Sequence, residues 1–169
     1  ARHLRLPVQF NQVFVDEAWS RDGGLLFSSG HINITLENRL SERATKHNAV
    51  DAVTIDFDPP ERGQRQLART LRESTVVAMF MNNRSAESLA AGHVDDAYWW
   101  ARAAIEAEPS FLAARNTLAV VYLRRGVPAH AERVLTQLLA MEPENATALS
   151  NLAKAYAEQG RTAEEREAR

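Results

Sequence analysis

The sequence predicts an α+β chain: a small antiparallel β segment followed by an α-helical array of about two and a half repeats. Three observations predict it. Pro109 and Pro143 stand 34 residues apart, and Gly92, Gly126 and Gly160 recur at the same interval, as do Ser88, Tyr122 and Tyr156. A fixed period of this length is the mark of stacked helix pairs. Earlier in the chain the apolar period is two instead: Ile32, Ile34 and Leu36 alternate with His31, Asn33 and Thr35. Pro59-Pro60 then closes the strand-forming region.

The β segment spans residues 1–60. Val8, Phe10 and Phe14, with Val13 and Val15 on the other side, give a strand that is either buried on both faces or bulged. Ser20-Arg21-Asp22-Gly23-Gly24 is turn chemistry. Leu25-Leu26-Phe27 is a short apolar run ended by Ser28-Ser29-Gly30, and the alternating stretch from His31 to Glu37 follows. After a polar excursion, Val53 to Asp58 alternates again. These make about four strands, most simply one antiparallel sheet. Residues 61–73 are rich in Arg, Gln and Glu and form a polar connector with some helical character. The helical repeats fill residues 74–169, with Ser74 as N-cap and Val76, Val77, Phe80 and Met81 as the apolar face of the first helix.

The repeats run from Ala78 to Phe111, from Leu112 to Asn145, and from Ala146 onward. In the second, Leu112, Arg115, Leu118, Ala119 and Tyr122 follow helical spacing until Gly126 supplies the left-handed residue that stops a helix. Pro128 reopens the chain at a first helical turn, where a missing N–H costs nothing. Ala131, Val134, Leu135, Leu138 and Leu139 form the apolar stripe of the return helix, and Glu142-Pro143 ends it. Small residues recur where two helices must approach: Ser85, Ala119 and Ala153 in the first helices, Ala97 and Ala131 in the second. Each pair hides only part of its apolar surface, so the next pair must cover the rest.

With these residues in place the segment resembles a tetratricopeptide repeat array. The second repeat matches best, through Leu118, Ala119, Tyr122, Gly126, Ala131, Leu138 and Pro143; the first departs, with Arg84 where Leu is usual and Ser88 where Tyr is usual. The resemblance implies a concave face lined by the first helix of each repeat. Carried over by position, that face holds Met79, Asn82, Asn83, Ala86 and Leu89, then Ala113, Asn116, Val120 and Leu123, then Thr147, Ser150, Asn151 and Lys154. Asn amides grip a peptide backbone through paired donors and acceptors, and the apolar members supply a floor. The implied function is a protein-protein interaction module whose groove takes a peptide or helix of a partner protein. The other reading is that these Asn residues only solvate the face. The basic cluster of chaperone-tail binders is not reproduced, since Asn82 and Asn116 stand where Lys is needed.

A second resemblance rests on Gly30-His31-Ile32-Asn33-Ile34 and Thr54-Ile55-Asp56-Phe57-Asp58, which are similar to the carboxyl-terminal half of a transglutaminase-like domain in bacterial proteins where such a domain precedes repeats. It implies that Asp56 orients the His31 imidazole, which deprotonates a Cys in an acyl-transfer enzyme, hydrolase or transamidase. The sequence has no cysteine. The chain starts at Ala1 and not Met, which suggests processing or trimming, so this activity is expected only of a longer protein with an upstream Cys. The plainer reading makes His31 and Asp56 ordinary polar residues of half-exposed strands.

Composition bounds the remaining classes. The apolar fraction of 45% and charged fraction of 25% are those of a globular protein, and the formal net charge of -2 offers no global attraction to nucleic acid or anionic lipid. No apolar run reaches the roughly 20 residues that span a bilayer, and Ala1 to Phe10 lacks the apolar centre of a signal peptide. Cytoplasm and periplasm stay equally open. His3, His47, His93 and His130 show no ligand spacing, so neither metal nor cofactor is expected. Tyr98-Trp99-Trp100 is expected in the core or packed on the sheet. Arg124-Arg125 is too small a basic patch for nucleic acid. The last repeat lacks a polar capping helix, which leaves an apolar side to pair with another copy as a homodimer.

Overall fold

A computed structural model gives the fold for residues 8–14, 19–22, 25–28, 31–37, 52–55 and 67–168. Among the described residues six strands precede six helices: β1 Val8–Phe14, β2 Trp19–Asp22, β3 Leu25–Ser28, β4 His31–Glu37, β5 Ala52–Ile55 and β6 Leu67–Leu71, then α1 Glu73–Ala90, α2 Val94–Ala107, α3 Leu112–Arg124, α4 Pro128–Leu139, α5 Ala146–Glu158 and α6 Thr162–Glu167. They fall into two compact units. One comprises Ala1–Ala18 and Gly30–Glu73; the other comprises Trp19–Ser29 and Ser74–Arg169.

The first unit holds a four-stranded antiparallel sheet in the order β5-β4-β1-β6. Its register places Phe10 opposite both Ile34 and Leu71, Val8 opposite Leu36, and Ile34 opposite Ile55, so one face gathers the apolar residues. The other face carries a polar ladder. Gln9 Nε2 donates to Thr70 Oγ1 at 3.1 Å, Asn11 Nδ2 donates to Thr35 Oγ1 at 2.9 Å, and the Thr35 and Thr54 hydroxyls meet at 3.2 Å. A strand with one apolar and one hydrogen-bonded polar face is half-buried. The pairing of β1 with β4 runs without a slip from Val8 to Val13, which removes the bulge that the sequence allowed.

Two features depart from the sequence reading of the β region. β6 lies within residues 61–73, the stretch read as a polar connector, and it pairs with β1 at the edge of the sheet. An edge strand has only one paired flank and tolerates the charge that hid it, here Arg69. Leu25-Leu26-Phe27 is indeed a strand, but it leaves the sheet: among the described residues β3 pairs with β2 alone, in a separate ribbon whose register runs from Trp19↔Ser28 to Asp22↔Leu25.

In the second unit the helices form three pairs, and each first helix stops in the same way. Gly92, Gly126 and Gly160 adopt φ of 79°, 70° and 72°. At Gly126 the amide bonds to Leu123 O and the next amide, of Val127, reaches back to Tyr122 O, a pattern repeated at Gly92 and Gly160. This closure satisfies carbonyls that a helix end otherwise leaves open, and it needs a left-handed residue. Pro128 opens α4, while the Asn145 side chain accepts the Ala148 amide at 2.9 Å to cap α5. Ser74, read as an N-cap, is instead the second residue of α1; its hydroxyl donates to the buried Glu108 carboxylate at 2.8 Å.

The small residues sit where the period placed them. Ser85, Ala97, Ala119 and Ala131 have no exposed surface, and Ser85 Oγ donates to Ala97 O at 2.7 Å across the first pair. Leu135, Leu138, Val120 and Val121 are the largest fully buried apolar side chains of the core. α3 is buried almost all round: every residue from Asn116 to Val121 is withdrawn from solvent. That requires cover on more sides than a partner helix supplies, and α3 has α2, α4, α5 and strand β3 as neighbours.

Candidate functional site

The first helices α1, α3 and α5 carry the residues expected to line a groove. Helical spacing puts Met79, Asn82, Asn83, Ala86 and Leu89 on α1; Met79, Asn82 and Leu89 are buried, Ala86 is half-buried and Asn83 is exposed. On α3, Asn116, Val120 and Leu123 are all buried, Val120 completely. On α5, Asn151 is buried and Lys154 is half-buried. Lys154 lines a cleft of about 450 Å³ between α5 and the α6 end of the array, with Ala146, Leu149, Ser150, Ala153 and Ala157 on one side and Glu165 and Ala168 on the other.

Two of the asparagines meet. Asn151 Nδ2 donates to Asn116 Oδ1 at 2.9 Å, a buried amide pair that ties α3 directly to α5. Asn82, one repeat earlier than Asn116, is 6% exposed, and its Oδ1 has no hydrogen-bond partner among the described residues. A buried acceptor without a donor costs about 1–3 kcal/mol. The repeat period could locate these amides but could not show which are paired.

Residues of α2, the end of α3 and α4 form an aromatic and cationic cluster. The Tyr98 and Tyr122 rings lie 6.0 Å apart, the Arg125 guanidinium lies 4.7 Å from the Tyr98 ring, and the His130 ring lies 5.3 Å from Tyr122, tilted by 40° to it. Burial, with Tyr98 beside it, raises the Tyr122 phenol above the ordinary tyrosine range. Of Tyr98-Trp99-Trp100, expected in the core or packed on the sheet, Tyr98 and Trp100 are half-buried and Trp99 is 67% exposed. Further along, Glu132 accepts from Gln159 Nε2 and from Arg161 Nη1, each at 2.8 Å, and these bonds hold its carboxyl below the usual glutamate range.

Against known proteins, the tetratricopeptide repeat family matches over residues 125–164. The match spans α4, α5 and the start of α6. No curated protein matches the chain. A tetratricopeptide repeat supports a protein-interaction module in general, and no described helix is long and apolar enough to cross a membrane.

His31 and Asp56 belong to the sheet unit. His31 is the first residue of β4, and Asp56 lies outside the described residues. The strands are brought together, since β4 and β5 pair antiparallel with Ile34 opposite Ile55.

Proposed function

We propose that the first-helix face of the repeat array binds a peptide or helix from a partner protein. The observation that carries this reading is the buried Oδ1 of Asn82, which has no hydrogen-bond partner among the described residues and would become reachable when the side chains over it move aside on binding. A buried acceptor left without a donor destabilises the free protein, and a peptide N–H is the donor that would satisfy it. Asn83 beside it is exposed and able to add a further hydrogen bond. Tetratricopeptide repeats as interaction units agree with this use.

Asn82→Leu separates function from folding. Leu keeps the γ-branched outline of Asn at a larger volume and removes the orphan acceptor, so the overpacking cost should stay within about 1–3 kcal/mol and the array should remain folded in thermal denaturation. Affinity for peptides selected on the intact chain from a displayed library should fall at least tenfold, about 1.4 kcal/mol. Unchanged affinity would remove Asn82 from the site.

A second reading is favoured by the direct pairing of β4, headed by His31, with β5, which precedes Asp56. In it these residues are the imidazole and orienting carboxylate of an acyl-transfer site whose Cys lies in a longer protein. Asp56→Asn should then lower the pH at which the His31 ring titrates by NMR, because a carboxylate beside an imidazole favours its charged form. An unmoved titration excludes the pair.

A further inference from the structure

We propose that the ribbon β2–β3 is an internal ligand of the array, seated on its first-helix layer at α3 and α5, so that a partner gains this part of the groove only by displacing it. This rests on the first-helix face being the binding surface.

In sequence the ribbon is the connection between β1 and β4, two strands that pair with each other up to Val13↔His31. In space it leaves them: Trp19–Ser29 group with the helices, and β3 lies against both α3 and α5. These are first helices of successive pairs, adjacent to one another through Asn116 and Asn151. A two-stranded ribbon of this length is marginal by itself and needs a surface to hold it. Groove positions Asn116, Val120, Leu123 and Asn151 are all less than a tenth exposed, and α3 and α5, which carry them, have β3 as well as helices for neighbours. The apolar run Leu25-Leu26-Phe27 makes β3 an extended segment suited to an apolar floor.

The tether sets the strength of the competition. Four residues follow β1 before the ribbon begins and two separate it from β4, so its effective concentration at the groove is of millimolar order. A partner's apparent affinity is lowered by the fraction of molecules whose groove is covered. The partner favoured by this cover is an extended, apolar segment.

The test uses a fluorescent, backbone-cyclised peptide of residues 19–28 as probe. Against the full chain with Leu25, Leu26 and Phe27 all replaced by Ser, it should bind at least tenfold more tightly than against the unaltered chain. Amide exchange in α3 and α5 should quicken in that variant and slow again with the probe. A second variant, with Trp19–Ser28 replaced by a Gly/Ser loop, guards against misfolding caused by the substitutions. In the unaltered chain, β3 amides should exchange at least tenfold more slowly than in the free linear peptide. Equal binding to both chains, binding to neither, or unprotected β3 amides overturns the proposal. Its failure is separable from that of the groove reading: the exchange measurements involve no partner, and the Asn82→Leu comparison involves no change in the ribbon.

Discussion

Gly126 sets the geometry on which the array depends. Its φ of 70° turns the chain between α3 and α4, and beyond its two chain neighbours no described residue comes within 4 Å of where a Cβ would stand. Space is therefore not what demands glycine; the left-handed backbone is. Gly126→Ala should cost about 1–2 kcal/mol in urea denaturation, the penalty an L-residue meets in that region. A much larger loss would mean an unseen clash, and no loss would mean that the turn re-forms differently. The 34-residue spacing of the glycines made this role legible in the sequence. The state of Asn82 and Asn116 was not, because a period assigns a side chain to a helix face without assigning its hydrogen-bond partner. One amide is paired and the other has an open acceptor, though they occupy equivalent positions.

At the scale of elements, helices were easier to read than strands because their repeats are local. The period gave the ends of α3 and α4 almost to the residue, since Gly126 and Pro128 stop and start them by backbone chemistry. Strand pairing depends on distant partners. β6 was hidden by Arg69 and the polar residues before it, and β3 was visible as a strand but not as one that abandons the sheet. The join between α4 and the end of the array makes a prediction of its own. Glu132 on α4 accepts from Gln159 after α5 and from Arg161 before α6, and its folded pKa is depressed. A depressed carboxyl contributes stability above its unfolded pKa, about 4.3, and loses it as pH falls through the lower folded value. The stability of Glu132→Gln should therefore fall less steeply between about pH 5 and pH 3 than that of the unaltered chain. Parallel acid limbs in the two would show that the carboxylate contributes no pH dependence.

Across the whole molecule, the two units are stabilised by different arrangements. The sheet couples four strands through one register and a ladder of hydroxyls and amides, whereas the helices form a stack in which each pair contacts its neighbours. Stability in such a stack is nearly a sum of repeat terms and nearest-neighbour terms. Leu135 tests this. It is fully buried on α4, which packs against both α3 and α5. Leu135→Ala should cost about 2–5 kcal/mol through lost burial and the cavity left behind. If coupling passes only between neighbours, amide exchange should quicken most in α3, α4 and α5 and least in α1, which is one pair further away. Equal acceleration in all six helices would mean that they open as a single cooperative unit, and the nearest-neighbour description would fail. The graded outcome would let the ribbon-covered helices α3 and α5 open while α1 stays folded with Asn82 in place.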